Sequence, residues 1–370
     1  MPKVPGKPDN KPRDPHWDNI RYFSGTLVVI GHSLESLSEL NGLRWLHIAS
    51  WALRVPVFVM VAGYFSSAGP LNAREARRLI ESIALPYLLI GLLHTLQLKY
   101  YYGDWKFFTA DPAWAMWFLL SLLAWRVLLP YLAALRYPLL TSVGAALAVG
   151  YIAKFSATFS ASRTITFLPF FLLGWKLRQG LADELLRARW SRDAALGVLA
   201  LTFAAGWVFR HDVSTTWLAM REPYGDEIPV GMEWAWAVRG AVLLCGMVIG
   251  LSFIRLVPKG RIPVITYLGA GGLYIYLLHP LALRPVMING GVDWVRSWPE
   301  QLALVLLAAV LAAALASPPV RRLTRPLVQP RLPWLFAPAP APPTTPVPTV
   351  PRQPQRAAEA GEPERVTFVR

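Results

Sequence analysis

The chain has 370 residues, of which 54% are hydrophobic, and carries a formal net charge of +15. This apolar content exceeds that of soluble domains, and runs of about 20 apolar residues recur along the chain, as in polytopic membrane proteins. The positive charge does not indicate nucleic-acid binding, because Lys and Arg cluster at the ends of the apolar runs, as cytoplasmic loops of membrane proteins do. The single cysteine, Cys245, excludes a disulfide within the chain and a cysteine metal site.

Residues 1–16 are rich in Lys, Arg and Pro and are predicted to form a basic, disordered tail. The first apolar run lacks the small-residue cleavage site of a signal peptide, so it is expected to remain as a membrane anchor. Residues 17–318 are then predicted to form an all-α transmembrane domain of about ten helices. The expected spans are 20–38, 46–66, 79–96, 114–135, 138–153, 164–177, 194–210, 234–257, 264–288 and 301–317.

The charges of the loops predict the orientation of these spans. Basic loops alternate with acidic loops along the chain, as ten spans with both ends on one side require. Both termini are therefore expected to be cytoplasmic. Residues 319–370 form a Pro-rich segment that is predicted to be a disordered cytoplasmic tail. The basic loops contain Arg74, Arg77, Arg78, Arg136, Arg187, Arg255, Arg261, Arg321 and Arg325, and the acidic loops contain Glu35, Asp104, Asp111, Asp212, Glu222, Asp293 and Glu300.

The first span carries an arginine near its start and a histidine deep inside. Arg21 and His32 are eleven residues apart, which is about three helical turns, so both side chains fall on nearly the same face. At the helical rise they are separated by about 16 Å along the axis, roughly half a bilayer. Glu35 follows His32 by three residues and lies near the same stripe.

An ionisable group at membrane depth costs roughly 2.5–3.5 kcal/mol or more, so such residues generally have a function. A histidine that packs against a neighbouring helix through a hydrogen bond is the alternative for His32. The combination with Arg21 and Glu35 on one stripe favours a functional role.

Six segments in this order resemble the membrane-bound acyltransferase-3 family, and in particular its fucose 4-O-acetylase-like branch. The resemblance covers residues 17–318, and each segment is weak alone whereas their order is fairly specific. Two departures are Ala62, where the family often has Ser, and a basic Arg-x-x-Arg feature that lies far from Pro86. The segments are Trp17-Asp18-Asn19-Ile20-Arg21 with His32, Pro56 to Phe65, Arg74 to Arg78 before Leu85-Pro86-Tyr87, Trp117 to Arg126, Ser162-Arg163 with Leu168 to Gly174, and Tyr274 to His279.

The resemblance implies transfer of an acyl group, commonly acetyl from acetyl-CoA, to a hydroxyl of a sugar, a cell-surface glycan or a secondary metabolite. Acyl-CoA would be a co-substrate, and no bound cofactor is expected. O-acyl transfer needs a base for the hydroxyl proton, and His32 fits this role because imidazole can be neutral near pH 7. Glu35 either orients the imidazole or is a solvated carboxylate just outside the span.

Arginine forks suit the phosphates of CoA, which makes Arg21, Arg77 and Arg78 candidates for donor binding. For Arg77 and Arg78 the alternative is a purely topological role, since cytoplasmic loops carry arginines in any case. Arg163 opens the sixth span on the outer side and is the candidate contact for the acceptor or an oxyanion. Its alternative is an interfacial anchor.

The other histidines are interpreted as packing residues: His279 lies inside the ninth span, and His47 and His94 have no partner that the sequence reveals. No His, Asp or Cys pattern indicates a metal site, and no glycine-rich motif indicates a nucleotide fold.

A multi-pass transporter or flippase is the competing hypothesis, in which His32, Glu35 and Arg21 couple protons or bind an anionic substrate. Transporters commonly contain internal repeats, and the sequence has none that we detect. The expected surroundings are a cell membrane bilayer, an acyl-CoA donor and a hydroxyl acceptor, without nucleic acid. Release of free CoA in the presence of an acceptor discriminates the two hypotheses.

Overall fold

The fold is taken from a computed structural model, which describes residues 13–35, 42–103, 105, 112, 114–152, 158–225 and 230–336. Regular structure in these residues is helical, and they contain no strand. The chain divides into two compact units at residue 332. The described part of the second unit is a single 3-10 turn at Pro333–Leu335. The tails predicted at residues 1–12 and 337–370 lie outside the described residues.

The helices of the first unit fill most of the described chain. The first half contains α1 (Pro15–Glu35), α2 (Arg44–Ala49), α3 (Val55–Tyr64), α4 (Ala73–Leu79), α5 (Leu85–Tyr102), α6 (Trp117–Ala133), α7 (Pro138–Ala148) and α8 (Ala161–Arg178). The second half contains α9 (Asp183–Arg187), α10 (Trp190–Val208), α11 (Thr215–Ala219), α12 (Ala235–Leu256), α13 (Ile265–Gly269), α14 (Gly272–Ile288), α15 (Trp298–Ala316) and α16 (Pro318–Val328).

Each of the ten predicted apolar segments contains a helix. Among the described residues, four helical stretches are long and apolar enough to cross a membrane, and three shorter apolar ones accompany them. The expectation of an all-helical protein with membrane-spanning helices is therefore confirmed, whereas the number ten and the side of the termini stay predictions. The four long stretches are Ala73–Tyr102, Trp114–Ala133, Met232–Leu256 and Trp298–Ala316, and the shorter ones are Trp51–Tyr64, Pro138–Tyr151 and Gly272–Ile288.

Two predicted spans are broken helices in the structure. The span predicted at 46–66 consists of α2, a 3-10 turn at Trp51–Leu53, and α3. Pro56 lies in the first turn of α3, where a missing N–H is harmless, and Arg54 before it has left the helical conformation. The Ser24 hydroxyl of α1 hydrogen-bonds to the carbonyl oxygens of Leu53 and Arg54, at 2.8 and 2.9 Å. The one hydroxyl proton is shared between these two carbonyl groups, and the carbonyl of Arg54 also accepts from the backbone N–H of Phe58 at 3.1 Å.

The second break lies between α13 and α14, within the span predicted at 264–288. Residues 270 and 271 separate the two helices, and a Cβ atom on Gly271 would come within 3.0 Å of atoms of Ala316. The break lets α14 start beside the amino-terminal part of α1, where Gly272 packs against Arg21.

Each predicted tail overlaps a helix at its boundary with the transmembrane domain. The first helix starts at Pro15, inside the tail predicted at 1–16, and α16 occupies Pro318–Val328, inside the tail predicted from residue 319. Proline favours the first turn of a helix, since its fixed φ suits that position and its missing N–H would have no partner there. Both helices accordingly have proline at their first position, and the boundaries of the domain stay a prediction. Val328 at the end of α16 is fully buried.

The most extensive helix pair is α3 against α8, and glycine makes this contact possible. A Cβ atom on Gly63 would overlap the carbonyl oxygen of Phe171, and one on Gly174 would overlap that of Met60. Small residues allow such close backbone approach, which is the usual basis of helix association in membranes. The contact fixes α8 and, with it, Arg163 near its amino end.

The first helix lies in the interior, packed by α3, α13, α14 and α15. Near its start, Asn19 is fully buried and its amide nitrogen donates to the carbonyl oxygens of Pro258 and Gly260, at 2.9 and 3.0 Å. The side-chain oxygen of Asn19, Oδ1, accepts from the Thr266 hydroxyl at 2.6 Å. These bonds attach the α12–α13 connection to the start of α1, at the end of the helix opposite to His32.

Candidate active site

A cavity of about 370 Å³ lies at the end of α1, between this helix and α3, α8, α11 and α14. Polar side chains are concentrated on its wall, and aromatic rings fill the space between them. A few polar groups in an otherwise aromatic pocket are typical of small-molecule sites. The polar lining residues that carry charge or a proton are His32, Glu35, His47, Arg54, Arg163 and Arg221, and the rings belong to Trp51, Trp114, Trp117, Phe167 and Tyr276.

His32 and Glu35 form a hydrogen-bonded pair on this wall. The Nδ1 atom of His32 lies 3.0 Å from Oε2 of Glu35, one helical turn further along α1. A carboxylate only accepts, so Nδ1 carries the proton and Nε2 is the acceptor of the neutral ring. The side chain of His32 is 22% exposed, which shields the ring without sealing it from the cavity. The arrangement fits a general base whose tautomer is set by a carboxylate.

Two rings hold the imidazole of His32 in place. His279 stacks on it with centroids 5.3 Å apart and planes 20° apart, and Trp114 meets it edge-on at 5.2 Å. His279 is fully buried, and its Nδ1 donates to the carbonyl oxygen of Ile275 at 3.0 Å. Its Nε2 is buried without a hydrogen-bond partner. The packing role that the sequence favoured for His279 thus takes the form of direct contact with His32.

Arg54 is a cavity residue that the sequence analysis missed. It is 8% exposed, and one guanidinium nitrogen donates to the carbonyl oxygen of His47 at 2.8 Å. A Cβ atom on Gly31 would overlap the guanidinium, so the glycine before His32 lets this charge lie against the backbone of α1. Within the described residues Arg54 makes no ion pair, and its Nε is buried without a partner. A buried cation without an ion pair can stabilise negative charge that develops in the cavity beside it.

His47 also lines the cavity, contrary to the expectation that it is an isolated core residue. Its Nδ1 lies 3.2 Å from the carbonyl oxygen of Gly31 and 3.5 Å from a guanidinium nitrogen of Arg54. His47 lies on α2 and Arg54 follows the 3-10 turn, so the break between α2 and α3 lies between these two residues.

His94, which was likewise expected to lack a partner, contacts Arg284. Its Nδ1 lies 3.2 Å from a guanidinium nitrogen of Arg284, which approaches Gln97 at 3.4 Å. The pair is 190 residues apart in the chain, so no local pattern could have revealed it. His94 does not line the cavity.

Arg163 lines the same cavity as His32 and Glu35, so the structure brings three of the predicted site residues together. Its guanidinium lies over the ring of Trp117, 5.0 Å from the ring centroid. Among the described residues Arg163 makes no ion pair either. The cation is thus held by an aromatic face and keeps its hydrogen-bond donors for another partner.

The other three predicted arginines do not line this cavity. Arg21 pairs with Asp18 at 2.8 Å, lies over the ring of Phe65 at 4.5 Å, and keeps 28% of its side chain exposed. Arg77 pairs with Glu81 at 3.1 Å, and Arg78 is exposed. These residues lie elsewhere on the first unit, so any contact with a long substrate would be at a distance from His32.

A model of the acyltransferase domain of the acyltransferase-3 family matches residues 14–317. The chain belongs to this family. The match includes every residue that lines the cavity, and with the apolar helices it identifies a membrane protein whose activity is acyl transfer. The transporter hypothesis is therefore not favoured, and the fucose 4-O-acetylase-like branch stays a prediction. No curated protein and no solved structure matched the chain. No group of His, Cys, Asp and Glu in the described residues is suited to a metal ion.

Proposed function

We propose that this acyltransferase-3 protein moves an acyl group, in the simplest case acetyl, from cytoplasmic acyl-CoA to a hydroxyl group. The acceptor would be a sugar, a cell-surface glycan or a secondary metabolite. The observation that carries the proposal is the His32–Glu35 pair, which faces a cavity beside two arginines that lack ion pairs among the described residues. A base next to fixed positive charge is what O-acyl transfer requires.

The proposed reaction uses Nε2 of His32 as the proton acceptor. As the acceptor hydroxyl attacks the thioester carbonyl, its proton moves to His32, and the carbonyl oxygen becomes an oxyanion. Collapse of this intermediate breaks the C–S bond, and the CoA thiolate leaves with the proton from the imidazolium. Glu35 stabilises the imidazolium and holds the ring through Nδ1.

The two arginines take different parts in this proposal. Arg54 lies against Gly31, next to His32 in the chain, and its charge stabilises the oxyanion. Arg163 lies on α8 and contacts the acceptor. A route through an acyl group carried by His32 has the same requirements, because the base then acts first as the nucleophile.

The donor is proposed to enter from the cytoplasm, with its phosphates near Arg21. The helical rise separates Arg21 from His32 by about 16 Å, a length comparable to an extended pantetheine arm. Arg77 and Arg78 would add positive charge at the same membrane face.

A direct test uses the purified protein in liposomes with acetyl-CoA and extracts of the host's glycans and exported metabolites. The expected result is release of free CoA thiol that depends on both the acceptor fraction and His32. Absence of acceptor-dependent release from every fraction would contradict the proposed function.

The topology is tested by reporter fusions placed after residue 220 and at the C-terminus. We expect the two fusions to report opposite sides of the membrane, because the loop around residue 220 is acidic and the end of the last span is basic. Two reports from the same side would overturn the proposed arrangement of ten spans with cytoplasmic termini.

Replacement of Arg21 by alanine is expected to raise the KM for acetyl-CoA by about tenfold or more, because a charge-assisted bond to phosphate is lost. The guanidinium is partly exposed and reachable, although Asp18 occupies one of its donors. KM is measured on protein whose membrane insertion matches that of the wild type. Arg77→Ala and Arg78→Ala should act in the same direction with smaller effects, and a normal KM in the Arg21 variant would count against the donor site.

A further inference from the structure

A second and larger concavity, the apolar groove, lies between α2, α10 and α12 and has a volume of about 720 Å³. Among the described residues that line it, Thr202 and Cys245 have a polar hydrogen on an aliphatic side chain, the others are aliphatic or aromatic, and none is charged. Such a wall offers a ligand nothing but contact with hydrocarbon. The groove is therefore unsuited to CoA or to a free sugar.

Close helix packing forms the floor of the apolar groove. Gly206 of α10 is buried there, and a Cβ atom on it would lie 2.8 Å from Cβ of Ala49. Arg44 fastens the end of the groove, since its guanidinium donates to the carbonyl oxygens of Arg210 and Val213, at 2.7 and 3.2 Å. The packing of α2 against α10 and the hydrogen bonds of Arg44 therefore define the shape of the groove.

The apolar groove adjoins the His32 cavity. Trp51 and Leu218 line both spaces, and Trp217 beside Leu218 lines the groove. A molecule with one part in each space would cross this shared wall. Its polar part would lie beside His32, and its apolar part would lie along α10 and α12.

The length of the apolar groove matches one leaflet of a bilayer. On α12 its lining runs from Val238 to Ile249, which are eleven residues apart, and this separation corresponds to about 16 Å at the helical rise. One leaflet of a bilayer has a hydrocarbon depth of about 15 Å, half of the hydrocarbon core. In the proposed topology the end at Val238 is the extracytoplasmic one, so the groove spans the outer leaflet.

The charge of the His32 cavity indicates the character of the polar part. Among the residues that the structure describes, three arginines, Arg54, Arg163 and Arg221, line it together with one carboxylate, that of Glu35. Arg221 pairs with Glu222 at 3.0 Å. Of the three cavity arginines, Arg54 and Arg163 therefore make no ion pair with a described residue. This excess of positive charge favours an anionic head group.

From this geometry we infer that the acceptor is a lipid of the outer leaflet with an anionic, hydroxyl-bearing head group. Its hydrocarbon chain occupies the apolar groove, and its head group presents the hydroxyl to His32. The inference rests on the proposed function and narrows its acceptor from any hydroxyl compound to a membrane lipid. The transfer itself is the reaction given above, with the lipid hydroxyl as the attacking group.

Tryptophan substitutions that fill the groove test the inference. A205W and A241W place an indole in the groove, whereas A204W places one about 100° away around α10, on an exposed position that does not line it. Because Ala241 is exposed, A241W can be accommodated without repacking of the core. A204W is the matched control, and it should behave as the wild type does.

The first measurement is lipid binding, with phosphatidylglycerol as the probe because its head group is anionic and carries hydroxyls. Native mass spectrometry of the purified protein should show bound phosphatidylglycerol on the wild type and on A204W, and at least tenfold less on A205W and A241W. Phosphatidylcholine should be retained more weakly. Equal retention of phosphatidylglycerol by all four proteins would overturn the inference.

The second measurement follows radiolabel from acetyl-CoA in membranes that contain the protein. We expect His32-dependent label in the lipid extract, reduced at least tenfold by A205W and A241W and retained with A204W. His32-dependent label in a water-soluble acceptor, unaffected by A205W, would overturn the lipid acceptor and leave the proposed function intact. An effect of A205W on long-chain donors alone would assign the groove to the acyl chain and overturn it as well. No label in any acceptor would contradict the proposed function itself, whatever lipid the groove retains.

Discussion

His32→Ala should fold, insert and bind acyl-CoA, yet lose transfer by roughly 10²–10⁴-fold, because the proton acceptor for the hydroxyl is gone. The loss should be larger if His32 carries the acyl group during the reaction. Glu35→Gln should lose less, since the amide still accepts from Nδ1 but no longer stabilises the imidazolium. The measurement is kcat with purified protein in liposomes, together with acetyl-CoA binding by equilibrium titration.

The control for His32→Ala has to be another buried histidine. His279 is unsuitable, because its ring stacks on that of His32 and its removal would disturb the base. His94 is fully buried and does not line the cavity, so His94→Ala reports the loss of a buried imidazole and of its contact with Arg284, without removing a cavity residue. We expect His94→Ala to lower stability and to leave kcat within a few-fold of the wild type. Near-normal transfer by His32→Ala together with complete loss in His279→Ala would place the chemistry on α14 instead.

The part of the candidate site that lies on one helix was predictable from the sequence. His32 and Glu35 are one turn apart on α1, and helical geometry alone brings their side chains to 3.0 Å. The apolar segments were predictable for the same reason, because about 20 apolar residues are required to span a bilayer. Local spacing and composition carry both inferences.

The rest of the site depends on contacts between helices that the sequence does not encode locally. Arg54 lies against α1 in the cavity of His32 because α2 and α3 are separated by a break and because Gly31 leaves room for the guanidinium. An unbroken helix over the predicted span 46–66 would have used the carbonyl group of Leu53 in its own hydrogen bonds, whereas in the structure this group accepts from the hydroxyl of Ser24. The sequence contained Pro56 and Gly31, but neither residue shows which helix will pack against it.

The donor arginines show what a shared helical face leaves open. Arg21 lies on the predicted face of α1, but in the structure it pairs with Asp18 and does not line the cavity of His32. The three-residue spacing of Asp18 and Arg21 favours this ion pair, and the sequence analysis did not consider it. A shared helical face thus predicts on which side of the helix a side chain lies. It does not predict which partner that side chain contacts.

Arg54→Met is expected to lower kcat by roughly 10²–10³-fold, the loss typical when a fixed donor to an oxyanion is removed. The guanidinium is 8% exposed and makes no ion pair in the described chain, so its charge acts on the cavity with little screening. Arg54→Lys should recover part of kcat, because it restores the charge but not the fork. Both variants are compared by kcat and by thermal unfolding in detergent.

Thermal unfolding separates this role from a structural one, with Arg239→Met as the matched control. Arg239 is also buried, at 6% exposure, and donates to the carbonyl oxygens of Glu222 and Ala146, at 2.7 and 3.4 Å. It does not line the His32 cavity, so its loss should lower the unfolding temperature and leave kcat near the wild-type value. Arg54→Met should lower kcat far more than Arg239→Met does at a similar loss of stability. A variant of Arg54 that is less stable but turns over normally would assign the residue to the packing of α2 against α1, and the charge that stabilises the oxyanion would then have to come from Arg163.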